Sequence, residues 1–360
     1  MRFVKNLAFP LPLIFFSLYF YRHQIIRQQI DHVVLGQQMA LEMLANMCCG
    51  EVQNWEENST EDSDCDETEE MIHGEEEMDL ENIAGTKIPC ALIETINSSN
   101  ILDQVLGKAN LPAENVQDIL KSPQGIQNDG EMVLQMLKTL QSKAFLCLNN
   151  IFDSVPLEDL GGPDKIFQVW KDLGTLSLSF TDEAVVESAT SAMRASTQKL
   201  SSALKCMEQI GYQEIEQLTE YGAKHTSATV RTNIVSILGT IGQSTACQME
   251  TKEPSASHVS IAKFLIEAAS RDVELRVVAE ALDKLFDMFA EDYTDKLCAS
   301  TQLVGRLKQM QTGFKVKINM HAKQKCDPET RAMAVMARTN LTRFIKYKEK
   351  RGRLNQNGKN

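Results

Sequence analysis

Ala228-Thr229-Val230-Arg231-Thr232-Asn233-Ile234-Val235-Ser236-Ile237-Leu238-Gly239 is an apolar run opened by a Val-Arg step. About 45 residues later, Glu274-Leu275-Arg276 opens a second run through Ala279-Glu280-Ala281-Leu282-Asp283. Aligning Arg231 with Arg276 superposes Val230 on Leu275, Ile234 on Ala279, Ile237 on Leu282 and Ile241 on Phe286. Those positions are spaced i, i+4, i+7 and i+11, which is one stripe along an α-helix. A third copy enters at Asp327-Pro328-Glu329-Thr330-Arg331 and runs through Leu341 and Phe344; earlier segments of the same kind are Val133 to Phe152 and Ala184 to Leu204.

A period of this length, with an apolar residue and Arg at the start of the second helix, is the signature of armadillo and HEAT repeats. Each unit is a helical hairpin that cannot bury its apolar face alone, so neighbouring units stack around a continuous core. The expected fold is all-α, a right-handed armadillo/HEAT-type superhelix with a disordered acidic insertion. Arg231 and Arg276 are expected to pair with an acid near the inter-repeat turn rather than to touch a ligand. Composition agrees: apolar residues make up 43% of the chain against 6% aromatics, and nine prolines and eighteen glycines are too few for a turn-rich β fold.

Outward from the repeats the chain divides by composition. Arg2 and Lys5 precede an apolar stretch, Leu7 to Tyr21, that resembles a signal peptide or short anchor but has no small-residue cleavage site. It is short for a membrane span and is broken by Pro10 and Pro12, so residues 1–32 are left unassigned, with an incomplete N-terminus as the preferred explanation. Residues 33–50 read as the last helix of an armadillo-type repeat, with Leu35, Met39, Leu41, Met43, Leu44 and Met47 on its apolar side. Residues 51–85 are an acidic loop: from Glu51 to Glu81 about half the residues are Asp or Glu and none is Lys or Arg. The HEAT array is expected over 86–346, with a basic tail at 347–360.

The catalogue of chemistry is short. The sequence has no P-loop, nucleophile elbow, H-E-x-x-H or dinucleotide fingerprint, and its six histidines stand beside no candidate nucleophile, so no enzyme activity is expected. The nine cysteines form no C-x-x-C pair and no zinc spacing; neither metal nor other cofactor nor small-molecule ligand is expected, and a reducing compartment suits the set. A net charge of −12 argues against direct nucleic-acid binding by bulk charge.

Two acidic features carry the functional expectation. In the loop, Trp55 stands among Glu56, Glu57, Glu61, Asp62, Asp64, Asp66, Glu67, Glu69 and Glu70, a carboxylate run with one aromatic anchor that suits a basic protein partner; the alternative is a solvated spacer. On the run after Arg276, Glu280, Asp283 and Asp287 share one helical face, which on the inner helix of a repeat would line a groove together with Asn233; the alternative is an ordinary solvated face. From Arg306 to Lys359 basic residues outnumber acidic ones about five to one, and Lys346, Lys348, Lys350, Arg351 and Arg353 form a cluster. That cluster reads equally as a nuclear localisation element, an RNA contact or a solubilising tail.

The chain resembles the symportin family of HEAT-repeat adaptors. The resemblance is carried by Gln38-Met39-Ala40-Leu41-Glu42-Met43-Leu44-Ala45-Asn46-Met47-Cys48-Cys49, then Asn54-Trp55-Glu56-Glu57 and the acid run. It continues through Lys143-Ala144-Phe145-Leu146-Cys147-Leu148, Leu160-Gly161-Gly162, the Val230 to Gly239 run and Glu280-Ala281-Leu282-Asp283-Lys284-Leu285-Phe286-Asp287, covering about Leu35 to Lys348. It implies a chaperone-like adaptor that masks basic ribosomal proteins of the 5S particle for nuclear import and large-subunit assembly, shuttling between cytoplasm and nucleus. It further implies that the acidic loop engages one ribosomal protein and the groove a segment of a second. In that family the segment that recruits the import receptor precedes the position of Val33, where this sequence has the apolar stretch instead. A general repeat scaffold and a membrane-attached repeat protein are the competing expectations.

Overall fold

The computed structural model describes residues 11–49, 88–121, 129–323 and 327–357, and these are helical with no strand among them. In chain order the helices are α1 (Leu11–Met47), α2 (Cys90–Ser98), α3 (Ile101–Lys108), α4 (Glu114–Lys121), α5 (Asp129–Ser154) and α6 (Gly162–Ser179). There follow α7 (Glu183–Leu200), α8 (Leu204–Met207), α9 (Tyr212–Lys224), α10 (Ala228–Thr245) and α11 (Ala256–Arg271). The chain closes with α12 (Leu275–Met288), α13 (Asp295–Ser300), α14 (Leu303–Lys323) and α15 (Pro328–Asn357).

The contacts resolve into two layers. In one, α1, α5, α7, α10, α12 and α15 stack side by side in that order. In the other, α6, α9, α11 and α14 each pack on the helix that follows them, while α3 and α4 pack on α5. Each hairpin thus supplies one helix to each layer, the arrangement of an armadillo- or HEAT-like solenoid. The core runs without interruption between the layers: Phe145, Leu148, Ile151 and Phe152 of α5, Leu173 of α6, Ile237 and Leu238 of α10, and Leu282 and Leu285 of α12 are all fully buried. Each such side chain contributes roughly 1.5–3 kcal/mol relative to exposure.

Caps set the entry of the second helices. Asp182 accepts from the Val185 amide at the start of α7, and Ser227 from the Val230 amide at the start of α10. At α11, Ser255 and His258 cap each other, and the Nε2 edge of His258 lies 3.1 Å from Thr245 Oγ1. Burial lowers the His258 pKa, so the ring sits neutral between those two contacts. Close helix approach depends on two glycines. A methyl at Gly222 would stand 2.6 Å from Ile234 Cγ2, and one at Gly239 would stand 2.5 Å from the Lys284 stem.

The repeat boundaries read from the sequence match α5, α7, α10, α12 and α15 closely. Three expectations change. On α1 the buried side is Val34, Gln38, Leu41, Ala45 and Cys48, whereas Leu35, Met39, Met43 and Met47, read from the sequence as part of its apolar side, are exposed, because only the i, i+4, i+7 stripe through Leu41 meets α5. The helix expected to begin at Val33 begins at Leu11, with Pro12 at its second position, where the missing amide donor has no intrahelical partner to lose. Among the described residues no helix is long and apolar enough to cross a membrane. At the other end, residues 347–357 are not a tail but the last turns of α15. They are held there because the Lys348 amine reaches Asp295 Oδ1 at 3.2 Å and Arg351 pairs with Asp292. The expected acidic loop, 51–85, lies outside the described residues.

Candidate interaction surface

In the layer of α1, α5, α7, α10, α12 and α15, each inner helix meets the other layer on one side and its stacking neighbours on two others, so a single face of this layer stays open. Side-chain hydrogen bonds tie this layer across repeats. Gln38 Nε2 donates to Met136 O at 2.9 Å and Asn150 Nδ2 to Ala45 O at 2.9 Å, joining α1 to α5. Ser191 donates to Asn149 Oδ1 at 3.0 Å, joining α5 to α7, and Asn233 Nδ2 donates to Thr190 Oγ1 at 3.0 Å, joining α7 to α10. Asn233 is 5% exposed. Its amide is committed inside the stack, so the structure makes it a link between repeats rather than a residue presented to a partner.

Glu280, Asp283 and Asp287 do share the open face of α12, with Asp283 exposed and the other two half-buried. The face is less acidic than the three carboxylates suggest. Arg276 lies on the same stripe and is exposed, and Lys284 Nζ stands 3.8 Å from Asp287. Even so, burial and the neighbouring Asp283 raise the Asp287 pKa above the ordinary carboxylate value, outweighing Lys284. A second cation brought to this point would relieve that repulsion. The loop residues Trp55, Glu56, Glu57, Glu61, Asp62, Asp64, Asp66, Glu67, Glu69 and Glu70 all lie outside the described residues.

The rest of the open face was not singled out by sequence. On α10 the hydroxyls of Thr232, Ser236 and Thr240 are as buried as Asn233, at 5%, 7% and 3% exposure, and Gly239 lets the Lys284 stem lie against the helix, so α10 presents little of its own to a partner. Beside it α7 offers Glu187, Ser191, Arg194 and Gln198, and α5 offers Asp153 and the 51% exposed Leu146. The i, i+4, i+7 run Glu187, Ser191, Arg194 was a readable signal, being polar on a helix otherwise rich in Ala and Val. Polar groups and one apolar step spread over the neighbouring helices α5, α7 and α12 suit an extended or helical polypeptide better than a compact ligand. Among the described residues no group of His, Cys, Asp or Glu could hold a metal ion.

Arg231 has the role expected of it. Its Nε and Nη2 grip Asp272 at 2.7 and 3.0 Å, and Nη1 donates to the carbonyls of His225 and Thr226. Arg276 is exposed and helps to hold the Asp327 carboxyl below its ordinary pKa, after the hydrogen bonds from Thr330. Of the cysteines, Cys48, Cys147, Cys206 and Cys298 are buried, while Cys49, Cys90 and Cys247 are exposed, all as free thiols. Burial pushes Cys48 up to about 11 and Cys147 to about 12, so both are unreactive apolar fillers.

The comparisons agree with this architecture. Residues 90–352 match the family described as SYO1-like, TPR repeats. The chain is 29% identical over 331 residues to HEAT repeat-containing protein 3 of Mus musculus, and 28% identical over 331 residues to that of Homo sapiens. In each case the match covers 88% of this chain and 46% of the relative, so the chain spans about half the length of the curated relatives it matches. With the family model running from α2 into α15, the two-layer stack of hairpins beneath it and the same order of repeats read from the sequence, this chain belongs to the SYO1-like symportin family of helical-repeat proteins.

Proposed function

We propose that this chain is a protein-binding adaptor that holds basic ribosomal proteins of the 5S particle, masking their RNA-binding surfaces for nuclear import and large-subunit assembly. Membership of the symportin family carries the ribosomal part of this reading. The observation that supports the site is the open face of the layer that contains α12, where Glu280, Asp283 and Asp287 lie on one stripe and Asp287 has Lys284 at 3.8 Å as its close cation. A Lys- or Arg-bearing segment laid along this face would add a second cation beside Asp283 and Asp287. The acid run from Glu51 to Glu81 would add a second, longer-range attraction for the same class of cargo. In this reading the chain moves between cytoplasm and nucleus with its cargo, and recruitment of an import receptor is a separate property of the assembly.

The test is recovery of purified 5S-associated ribosomal proteins by the intact chain, by a chain lacking Glu51 to Glu81, and by the triple variant Glu280→Gln, Asp283→Asn, Asp287→Asn. One basic protein should be lost with the deletion, and a second should bind the triple variant roughly tenfold more weakly, the scale of close charge-pair losses at interfaces. Both affinities should fall with rising salt. Full recovery by both variants would reduce the chain to a general repeat scaffold whose acidic segment is a spacer.

Asp287 also predicts a trade between stability and binding. A carboxyl whose folded pKa is raised holds its proton after the unfolded chain has lost it. Stability from this group therefore falls as pH rises from about 3.8 through the folded pKa, and stays lower above it. Its side chain is 40% exposed, so solvent screens the effect. Asp287→Asn should leave the free protein as stable or up to ~0.5 kcal/mol more stable at neutral pH, with a flatter dependence between pH 4 and 7, while weakening cargo binding. A loss of stability on urea titration would show that Asp287 is a structural partner of Lys284 instead.

A further inference from the structure

The strongest charge feature among the described residues lies on the two helices that follow the acidic face, α14 and α15. Helix α14 carries Arg306, Lys308, Lys315, Lys317 and Lys323 and no acid, and α15 carries eight basic residues against Glu329 and Glu349. Part of this charge is consumed by the fold. Lys308 pairs with Glu349, Arg306 with Glu267, Lys348 with Asp295 and Arg351 with Asp292, while Lys317 donates to the Asp272 carbonyl. Arg331, Arg338, Arg343, Lys346 and Lys350 have no ion pair among the described residues, and all but the half-buried Arg338 are exposed.

Their placement is not that of a plain solvated face. The α15 surface turned away from α12 and α14 holds a shallow cleft of about 640 Å³ lined by Arg331, Ala332, Val335, Met336, Thr339 and Arg343. Met336 is 66% exposed and Val335 40%, lying between the two guanidinium groups along the helix. A solvated cap on a repeat array needs polar residues only. A phosphate backbone would be served by the cations and gain nothing from Met and Val. Apolar residues flanked by unpaired cations on one helical face are instead the complement of a helix with an apolar stripe flanked by carboxylates.

We propose that this face of α15 docks an acidic amphipathic helix of a partner protein. Val335, Met336 and Ala332 receive its apolar stripe, while Arg331 and Arg343, with Lys346 beyond them, take its carboxylates. The site is separate from the α12 face and of opposite sign, so one chain can hold a basic cargo and an acidic partner at once. Because Met is unbranched and polarisable, the surface tolerates partners that differ in detail at the stripe.

The experiment is fluorescence anisotropy on the full chain. One probe is a 20-residue helical peptide with Leu at i, i+4, i+7 and i+11 and Glu on both flanks; a second has the same composition in scrambled order; a third is a short RNA duplex of equal charge. The helical peptide should bind at least tenfold more tightly than the scrambled one and than the duplex. Met336→Asp and Arg343→Glu, both at exposed positions that leave the helix content unchanged, should each weaken it at least fivefold. Equal affinity for the scrambled peptide, tighter binding of the RNA, or less than a twofold change in both variants would overturn the proposal. A tenfold gain in affinity on removing Glu51 to Glu81 would overturn the assignment to a partner in trans, by making the chain's own acidic segment the occupant.

Discussion

Arg231→Ala should lower the unfolding free energy by about 3 kcal/mol, the low end of the cost of breaking a buried ion pair from one side. The pair with Asp272 is bidentate, and the two side chains are only 12% and 11% exposed. Removing the guanidinium leaves the half-buried Asp272 carboxylate with the Glu274 amide but no guanidinium partner, and also strips the His225 and Thr226 carbonyls of a donor. Arg231→Lys should recover only part of the loss, because an ammonium cannot reproduce the fork. The pair joins the first turn of α10 to the C-cap of α11, so it links two hairpins. In a stack held by nearest-neighbour contacts, loosening one junction should broaden the urea transition as well as shift it. A change under 1 kcal/mol in Arg231→Ala would show that the pair is worth no more than an exposed one.

Lys348→Ala should cost about 2–3 kcal/mol, while Lys346→Ala and Lys350→Ala should stay within ~0.5 kcal/mol, the range of ordinary surface substitutions. Three lysines two residues apart in sequence differ this much because of where the helix turns them. The Lys348 side chain is 2% exposed and its amine sits between Asp295 Oδ1 at 3.2 Å and the Glu291 carbonyl at 3.3 Å. Lys346 and Lys350 face solvent. Lys348→Met, which keeps the stem and leaves Asp295 partly hydrated, should fall between the two. Equal stability of all three alanine variants would restore the expectation of a free basic tail.

These two sites show how far the sequence reaches. The Val-Arg register that superposes Arg231 on Arg276 located α10 and α12 and correctly assigned Arg231 a structural acid. It did so because helical period and the repeat spacing are local properties, visible in a single strand of sequence. It could not separate Lys348 from Lys346, since both belong to the same run of charge and only the position of α12 and the loop before α13 distinguishes them. Nor could it place Asn233. A polar residue at the edge of an apolar stripe can face a groove or a neighbouring helix, and the difference is the presence of Thr190 about 3 Å away on α7.

The candidate surface divides in the same way. That Glu280, Asp283 and Asp287 lie on one face follows from their spacing alone. That Arg276 and Lys284 temper it, that Gly239 brings the Lys284 stem against α10, and that Glu187, Arg194 and Gln198 extend it, all depend on which helices stack. Sequence by itself determined the all-helical class, the hairpin register, the family and the location of the acidic charge, because each of these is written in periodicity, order and composition. Only the tertiary structure decided which cations are spent inside the fold and which remain on α15, because pairing joins residues some forty or fifty positions apart whose meeting is set by packing between hairpins, and no local pattern records it.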